Sequence, residues 1–504
     1  MNNYFLSLMI LLPLAGALFQ MGFSKKMETA GLARWAAIVT SLGASIVGVL
    51  LVFSMDRQTP DLQFVETFSW VGSYAIRYEL GLDGLNALLV LLVAVIFPVL
   101  IAAEWNQRIG PRGMHGLFLI LQASFFGAAV AQDLFLLFFF WGMSAIPFYF
   151  LVGIWGGEGR ESAAFRSIVA SAIGNCLLFS ALILVYYSAD PHSFSIHELS
   201  GGKFSGKTVS ILGRDFLVSM AAFFLVSVGL AFRAPVWPLH GWFSNVAKEA
   251  PPTVFVSLAA VTVPMAIYIF VRLSYSLFPE MLPGAENIIV IVGTANLVMG
   301  GIYAVAQKGL RLLLAFLCLS GVGLGLIGVG SLHSAGVVGA IFHLLVFGLG
   351  LCGFGLFTGL IAARAGHSMF LRDQNQRSFG GLATVAPLIA VVAGIVIASL
   401  LGVPGFGGFI GNSLVIIGSY SVHPLMVIIA GLALLLSTYF LFTMYRCVFL
   451  GEPNPALENF SDLTLREKVY FFPLVAGLVF AGVYPKPFLD LVRPTVLTLL
   501  STVK

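Results

Sequence analysis

The chain has 504 residues, of which 59% are hydrophobic and only 10% charged, and its formal net charge is +4. Soluble domains carry about 25% charged residues, so this composition excludes a water-facing globular protein and makes lipid the expected solvent. The small net charge gives no indication of a nucleic-acid partner. The four cysteines are scattered through apolar runs, a pattern that argues against a disulfide framework and against a cysteine-rich metal site.

Apolar runs of about 20 residues, the length that crosses a bilayer, recur along the whole chain. We therefore predict an all-α membrane protein with about fourteen transmembrane helices, which form a single polytopic domain over residues 1–504. The predicted spans, numbered 1 to 14 in chain order, are 4–23, 34–55, 85–103, 116–132, 134–156, 167–187, 215–240, 253–273, 287–306, 310–332, 336–362, 382–420, 424–450 and 469–484.

The distribution of basic residues predicts the orientation of these spans. Lysine and arginine are concentrated in the loops that follow odd-numbered spans. Because cytoplasmic loops carry the excess of basic residues, we expect these loops in the cytoplasm and both termini on the non-cytoplasmic side. The expected location is a bacterial inner (cytoplasmic) membrane, which the chain crosses many times.

Two of the predicted spans contain helix-breaking residues. Span 7 includes Pro235 and Pro238, and span 12 includes Pro404 and Gly405. The breaks lie five spans apart, so the two spans run in opposite directions through the membrane. Broken helices in inverted repeats are typical of transporters, although two unrelated kinks would give the same pattern. The predicted five-helix repeats are spans 4–8 (about 116–273) and spans 9–13 (about 287–450).

Several longer motifs follow one another in a characteristic order. They are YELGLDGL at 78–85, the run from Asp133 through Trp141 to Pro147, AFRAPVWPLHGW at 231–242, EAPPT at 249–253 and GVPGFGGFIG at 402–411. In this order and spacing they resemble the antiporter-like subunits of respiratory complex I. The M-type subunit is the most similar, and the Mrp antiporters and membrane-bound hydrogenases are relatives. The resemblance implies fourteen spans, two inverted repeats with breaks in spans 7 and 12, and a hydrated axis along the membrane midplane.

The chain departs from the resembled family at the positions that move protons. There the family has a glutamate on span 5, lysines on spans 7 and 8, histidines on spans 10 and 11, and a glutamate or lysine on span 12. In this chain those positions are occupied, in order, by Gly142, Arg233, Pro264, Gly321, Phe347 and Asn412. Arginine does not release its proton in proteins, and four of the other residues carry no polar side chain. The sequence therefore predicts a degenerate proton path.

A few polar residues remain as candidates within this path. Arg233 is predicted to be the only basic residue inside a span, and we expect it in the interior, bound to water or to carbonyls freed at the Pro235 break. It either has a function or serves as a fixed cation that props the break open. His240 and His343 are either polar lining or packed, hydrogen-bonded side chains.

Lys248 and Glu249 follow span 7, and they form either a solvated pair or part of the lining. We expect neither a metal site nor any other cofactor in this chain, because cysteine and histidine clusters with ligand spacing are absent from the sequence.

Three functional interpretations follow. The first is a membrane-arm subunit of a proton-translocating NADH:quinone oxidoreductase of the complex I type, with no redox centre of its own and a structural or partner-binding role. Its expected partners are the lipid bilayer and other membrane subunits, including antiporter-like neighbours. The second is a subunit of a non-redox assembly with the same fold, such as an Mrp-type cation/proton antiporter or an inorganic-carbon uptake complex. The third is a stand-alone carrier.

Overall fold

The computed structural model describes residues 4–22, 30–106, 110–200, 204, 206–211, 214–364, 379–452, 454, 457 and 460–503. These residues form an α-helical membrane protein, as predicted. Eleven described helices are long and apolar enough to cross a bilayer, or twelve if the bent pair Leu465–Val483 and Lys486–Thr502 forms one further span. Spans 7 and 12 consist of shorter helices that lie outside this count, and the total of fourteen stays a prediction.

Most of the longer helices coincide with the predicted spans to within several residues, whereas Gly241–Glu249 and Lys486–Thr502 lie outside the predicted spans. Their bounds are Phe5–Gly22, Ala30–Phe53, Gly84–Ala103, Pro111–Val130, Leu134–Met143, Ala145–Trp155, Arg160–Ser188, Val218–Arg233, Gly241–Glu249, Pro252–Ser257, Val263–Leu277, Leu282–Ala306, Leu310–Gly330, Ser334–Arg364, Pro387–Leu401, Gly407–Tyr420, Pro424–Phe449, Leu465–Val483 and Lys486–Thr502. A π-helical turn, Leu258–Thr262, joins the two parts of span 8. Short helices lie at Ile196–Leu199 and Leu382–Val385, and 3-10 turns at Gly72–Tyr74, Glu104–Asn106 and Pro279–Met281.

The two predicted helix breaks are confirmed. Span 7 stops being helical after Arg233 and resumes at Gly241, and span 12 is interrupted between Leu401 and Gly407. Proline supplies no backbone N–H and ends the first helix. The second helix ends at Gly402, whose φ of 75° lies in the left-handed region that favours glycine. Span 5 has a further interruption at Ser144, which the sequence analysis did not anticipate.

The centre of the molecule is formed by spans 3, 8, 10 and 11. Every residue in the most apolar window of Pro252–Leu277 is buried, and so is nearly all of that of Ser334–Arg364. The peripheral spans instead expose large apolar side chains, such as Leu18, Trp35 and Leu432, on one face. This pattern is the one expected when lipid covers the outside of a helical bundle.

Two β-hairpins outside the spans were not predicted. The larger one pairs Gln63–Val71 with Ile76–Leu82 in antiparallel register, and the smaller one pairs Thr208–Ile211 with Arg214–Leu217. The larger hairpin leads directly into Asp83, whose carboxylate accepts hydrogen bonds from the N–H groups of Leu85 and Asn86 and so caps span 3. This hairpin therefore fixes the start of a central helix.

Candidate functional site

Arg233 is buried at the end of the first half of span 7, with 4% of its surface exposed. Its guanidinium donates to the carbonyl oxygen of Trp141 at 2.9 Å and to the hydroxyl of Ser144 at 2.8 Å. The same group lies 4.0 Å from the centroid of the Trp141 ring. The expected interior position and a backbone carbonyl partner are confirmed, but this carbonyl belongs to the unpredicted break of span 5 and not to the break at Pro235.

Gly142 leaves space next to this cation. A Cβ built on Gly142 would meet only the side-chain nitrogen of Asn175, at 3.7 Å, an ordinary contact distance. The Oδ1 atom of Asn175 is buried and has no hydrogen-bond partner among the described residues. In the described part of the chain, Arg233 also forms no ion pair with a carboxylate. The space beside Gly142 is thus open, and Arg233 is bound by neutral groups.

Pro264 lies within span 8, immediately after the π-helical turn. It has no polar atom to offer the path, and the polar groups of this span lie further along. The hydroxyl of Tyr268 donates to the Ala129 carbonyl at 2.7 Å. One turn later, Arg272 forms two 2.7 Å hydrogen bonds to the carboxylate of Asp83, and both side chains are buried.

This ion pair corrects the prediction that Arg233 is the only basic residue inside a span. Arg272 also lies within a span, inside helix Val263–Leu277. Two features of the sequence indicated the ion pair: the single charge near the end of the apolar run at 253–273, and the aspartate in the motif at 78–85. The pair joins the cap of span 3 to span 8, and its geometry is that of a fixed structural contact.

Gly321 and Phe347 face each other across spans 10 and 11. A Cβ built on Gly321 would lie 2.1 Å from two carbon atoms of the Phe347 ring, a separation that real contacts do not reach. On another side, the ring stacks on His343 with 4.9 Å between centroids. The two departures from the family are therefore sterically matched, because the phenylalanine ring fills the space that the glycine leaves.

The second helix break contains a small polar cluster. A Cβ built on Gly411 would lie 3.2 Å from the Cα atom of His343, and one built on Gly402 would lie 2.9 Å from the Asn412 side-chain nitrogen. The Nε2 atom of His343, the Oδ1 atom of Asn412 and the Oγ atom of Ser399 are buried without hydrogen-bond partners in the described part of the chain. Buried polar atoms of this kind usually bind ordered water.

The remaining predicted lining residues lie near the first break. His240 is half-buried and stacks on Tyr303 at 5.6 Å between ring centroids. Lys248 is exposed, and no ion pair between Lys248 and Glu249 occurs among the described residues. The carboxylate of Glu249 accepts the Gly159 N–H at 2.9 Å, so it connects the end of span 7 to the loop after span 5.

Asn296 is a buried residue that the sequence analysis missed. Its side-chain oxygen accepts the Trp237 N–H at 2.7 Å, and its amide donates to the Leu319 carbonyl at 2.8 Å. It therefore ties the unwound part of span 7 to spans 9 and 10, which belong to the second predicted repeat. The signal available in the sequence was a strongly polar side chain in the middle of the apolar run at 287–306.

On the side of the larger hairpin, Asp133 joins the hairpin to span 5. Its carboxylate accepts the N–H groups of Phe135 and Leu136 at the start of the span, and the Arg77 N–H from the hairpin. Burial raises the pKa of Asp133 to about 6, and these hydrogen bonds oppose the shift.

Among the described residues, no group of three or more histidine, cysteine, aspartate or glutamate side chains is arranged to bind a metal ion.

Similar proteins agree with this architecture. The chain is 31% identical over 97% of its length to NADH-quinone oxidoreductase subunit M of Rhodobacter capsulatus, of which it covers 95%. It is 28% identical to NAD(P)H-quinone oxidoreductase chain 4 of Gloeobacter violaceus, over 98% of this chain and 93% of that one.

Two solved structures share the fold. A chain of respiratory complex I from Thermus thermophilus superposes with a TM-score of 0.87 at 22% identity, over 99% of this chain and all of that one. A chain of the Mrp complex from Dietzia sp. DQ12-45-1b gives a TM-score of 0.83 at 21% identity, over 99% and 98%.

A family profile described as NADH:quinone oxidoreductase/Mrp antiporter, TM, matches residues 131–437. This match contains the Arg233 site, the Gly321–Phe347 contact and both helix breaks. The chain therefore belongs to the NADH:quinone oxidoreductase/Mrp antiporter family of transmembrane proteins.

Proposed function

We propose that this chain is an M-type subunit in the membrane arm of a proton-translocating NADH:quinone oxidoreductase, and that its own proton path is closed. The first part is supported by relatives named NADH-quinone oxidoreductase subunit M, which match almost the whole chain at 25% to 31% identity. The likeness to the Mrp complex concerns the fold alone. The quinone-reducing assembly is therefore favoured over a non-redox antiporter.

The Gly321–Phe347 contact carries the second part of the proposal. The ring of Phe347 fills the space between spans 10 and 11 and covers one face of His343. A proton needs water or a titratable group at each step, and an ion in an apolar interior costs several kcal/mol without a counter-charge. The polar groups at Arg233 and those at the second break thus act as separate clusters.

Arg233 reinforces this closure. A relay lysine gains and releases a proton when its surroundings change, whereas an arginine remains charged. With two hydrogen bonds and a stacked tryptophan, the guanidinium is a fixed cation that holds the break of span 5 against the end of the first half of span 7. Its positive charge repels a proton from this part of the membrane.

The proposed setting follows from this role. The chain lies in a bacterial inner membrane with both termini on the non-cytoplasmic side, and its partners are other membrane subunits, including antiporter-like neighbours. Two inverted repeats, about 116–273 and 287–450, form the scaffold that contacts them. We propose that the chain carries no redox centre, so that its contribution to the assembly is structural.

The test measures protons moved per electron in the intact complex. Arg233→Met and His343→Leu are nearly volume-conserving, and we expect both variants to assemble and to leave the ratio unchanged. A protonophore-treated sample of the same vesicles shows that the assay detects lost coupling. A lower ratio in an assembled variant complex contradicts the closed path, whereas co-purification with only non-redox subunits contradicts the assignment to a quinone-reducing assembly.

A further inference from the structure

A lateral cleft opens beside the break of span 7. It has a volume of about 390 Å³ and lies between span 7, span 8 and span 9, with one residue from span 10. Its walls include Phe224, Trp237, Ile267, Ile288 and Val292. The cleft therefore lies where the two predicted repeats meet, and the unwound segment 234–239 forms part of its wall.

Most donors in the wall are already satisfied. The only side-chain hydroxyl in the lining, that of Ser227, donates to a carbonyl of its own helix at 2.7 Å. In the unwound segment, the backbone N–H of Trp237 binds Asn296, and the N–H groups of Val236 and Leu239 bind carbonyls within the segment. The two prolines have no N–H to donate. Apart from the indole N–H of Trp237, the side chains of the lining and the N–H groups of the unwound segment thus offer no donor to water or to the carbonyls of a quinone head group.

The polarity of the cleft restricts its occupants. Apolar cavities without polar partners stay dry, so ordered water does not fill it. A hydrocarbon chain has no polar group to satisfy, and it matches the apolar side chains of the wall.

The cleft is also continuous with the surface that faces lipid. Two of its lining residues, Phe224 and Ile288, are each 65% exposed, and Trp237 is 40% exposed. In a protein that spans a membrane, exposed apolar surface of this kind is covered by acyl chains.

We propose that the cleft binds one acyl chain of a membrane phospholipid, which packs against the unwound segment of span 7 and stabilises the break. The phospholipid head group lies outside the cleft, at the membrane surface. This lipid is a structural element of the junction between the repeats. The inference is independent of whether the subunit conducts protons, since it rests on the shape and polarity of the cleft.

The experiment uses the intact complex reconstituted with a phosphatidylethanolamine that carries a photoreactive diazirine on one acyl chain. After illumination, mass spectrometry maps the labelled peptides. We expect labelling within 223–239 and 285–292 that persists after most other lipid has been removed with detergent. Ala285→Phe, which places a ring in the cleft, removes this label. Ile302→Phe, on an exposed part of the same helix but outside the lining, leaves it unchanged.

Three results would overturn the proposal. The first is labelling of the cleft that is lost on detergent washing at the same rate as labelling elsewhere on the surface. The second is a cross-link from a photoreactive amino acid at Phe224 to a neighbouring subunit. The third is recovery of an isoprenoid quinone rather than phospholipid from the washed complex. If Ala285→Phe fails to assemble, labelling of the unmodified complex still tests the proposal. Ala285→Leu then serves as a variant that fills the cleft with a smaller side chain.

Discussion

Adding one methyl group at Gly321 tests whether Phe347 closes the space between spans 10 and 11. In Gly321→Ala the new Cβ begins 2.1 Å from the ring, and a tight but possible contact requires about 3.4 Å. The ring must therefore retreat by about 1.3 Å, although His343 stacks on one of its faces. Overpacking of this kind costs typically about 1–3 kcal/mol, and we expect a value near the upper end.

The same helix supplies a matched control. Gly325 lies one turn further along, and a Cβ there would meet Ile267 at 3.3 Å and Leu344 at 3.7 Å, contacts that small side-chain shifts accommodate. Replacing glycine by alanine within a helix otherwise stabilises it by up to about 1 kcal/mol. Gly325→Ala should therefore be neutral or stabilising, and the difference between the two alanine variants isolates the clash with the ring.

The assay is thermal release of this subunit from the purified complex, followed by size-exclusion chromatography. We expect Gly321→Ala to lower the release temperature by several degrees and Gly325→Ala to leave it unchanged or raise it. Phe347→Leu, which is itself destabilising because it leaves a void, should cancel most of the Gly321→Ala effect when the two are combined. If the two alanine variants behave alike, or if the Phe347 and Gly321 effects simply add, the ring does not fill this space.

Three further predictions concern the buried polar contacts. Arg272→Met leaves the Asp83 carboxylate buried without its partner and should lower the stability of the subunit by about 3–5 kcal/mol. The double variant Arg272→Met/Asp83→Asn should recover most of the assembly, measured as retention of the subunit in the purified complex, because asparagine still caps a helix. Asn296→Leu removes the acceptor of the Trp237 N–H and should lower the stability of the subunit by about 1–3 kcal/mol. Hydrogen–deuterium exchange at the Trp237 amide should accelerate, and unchanged exchange would show that the contact does not hold the break. For Asp133, the folded-state pKa of about 6 lies above the ordinary value of 3.8, so the folded chain holds the proton more tightly than the unfolded chain. The contribution of Asp133 to stability is therefore fully present below pH 4 and falls by up to about 3 kcal/mol as pH rises through 6. Melting curves of Asp133→Asn recorded across this range should lack this contribution to the pH dependence.

The sequence predicted the helix breaks because their cause is local. Proline lacks an N–H wherever it lies, so Pro235 ends a helix regardless of its neighbours, and the Pro404–Gly405 turn acts similarly at span 12. The apolar runs likewise identify the spans, since the bilayer imposes their length. The break at Ser144 lies three residues before Pro147, which supplies no N–H to the Met143 carbonyl and so interrupts the helix there. This signal was present in the sequence, but the sequence analysis used Pro147 only as part of a motif.

The contacts that the sequence did not predict all depend on packing between distant helices. The Asp83–Arg272 pair joins residues from spans 3 and 8, and hydropathy alone ended the second of these spans near the arginine. The match between Gly321 and Phe347 depends on the rotation of two helices about their axes. A list of missing ionisable groups indicated a weakened path, but only the packed arrangement indicates that an aromatic ring occupies the space.

Arg233 explains how the break in span 5 is stabilised inside the membrane. An unwound segment in a membrane leaves carbonyls that need donors, and the three-residue interval between Trp141 and Ser144 is served by a guanidinium, whose planar fork reaches two acceptors at once. Lysine, with a single ammonium on a flexible stem, would bind the same groups less rigidly but would be able to release its proton. Arg233 therefore provides a fixed connection between spans 5 and 7 rather than a titratable site. At the other break, Asn412 is neutral, and its buried side-chain oxygen has no hydrogen-bond partner in the described part of the chain. Under the proposed function, neither residue stores a proton, and the two breaks contribute to the shape of the subunit rather than to proton transfer.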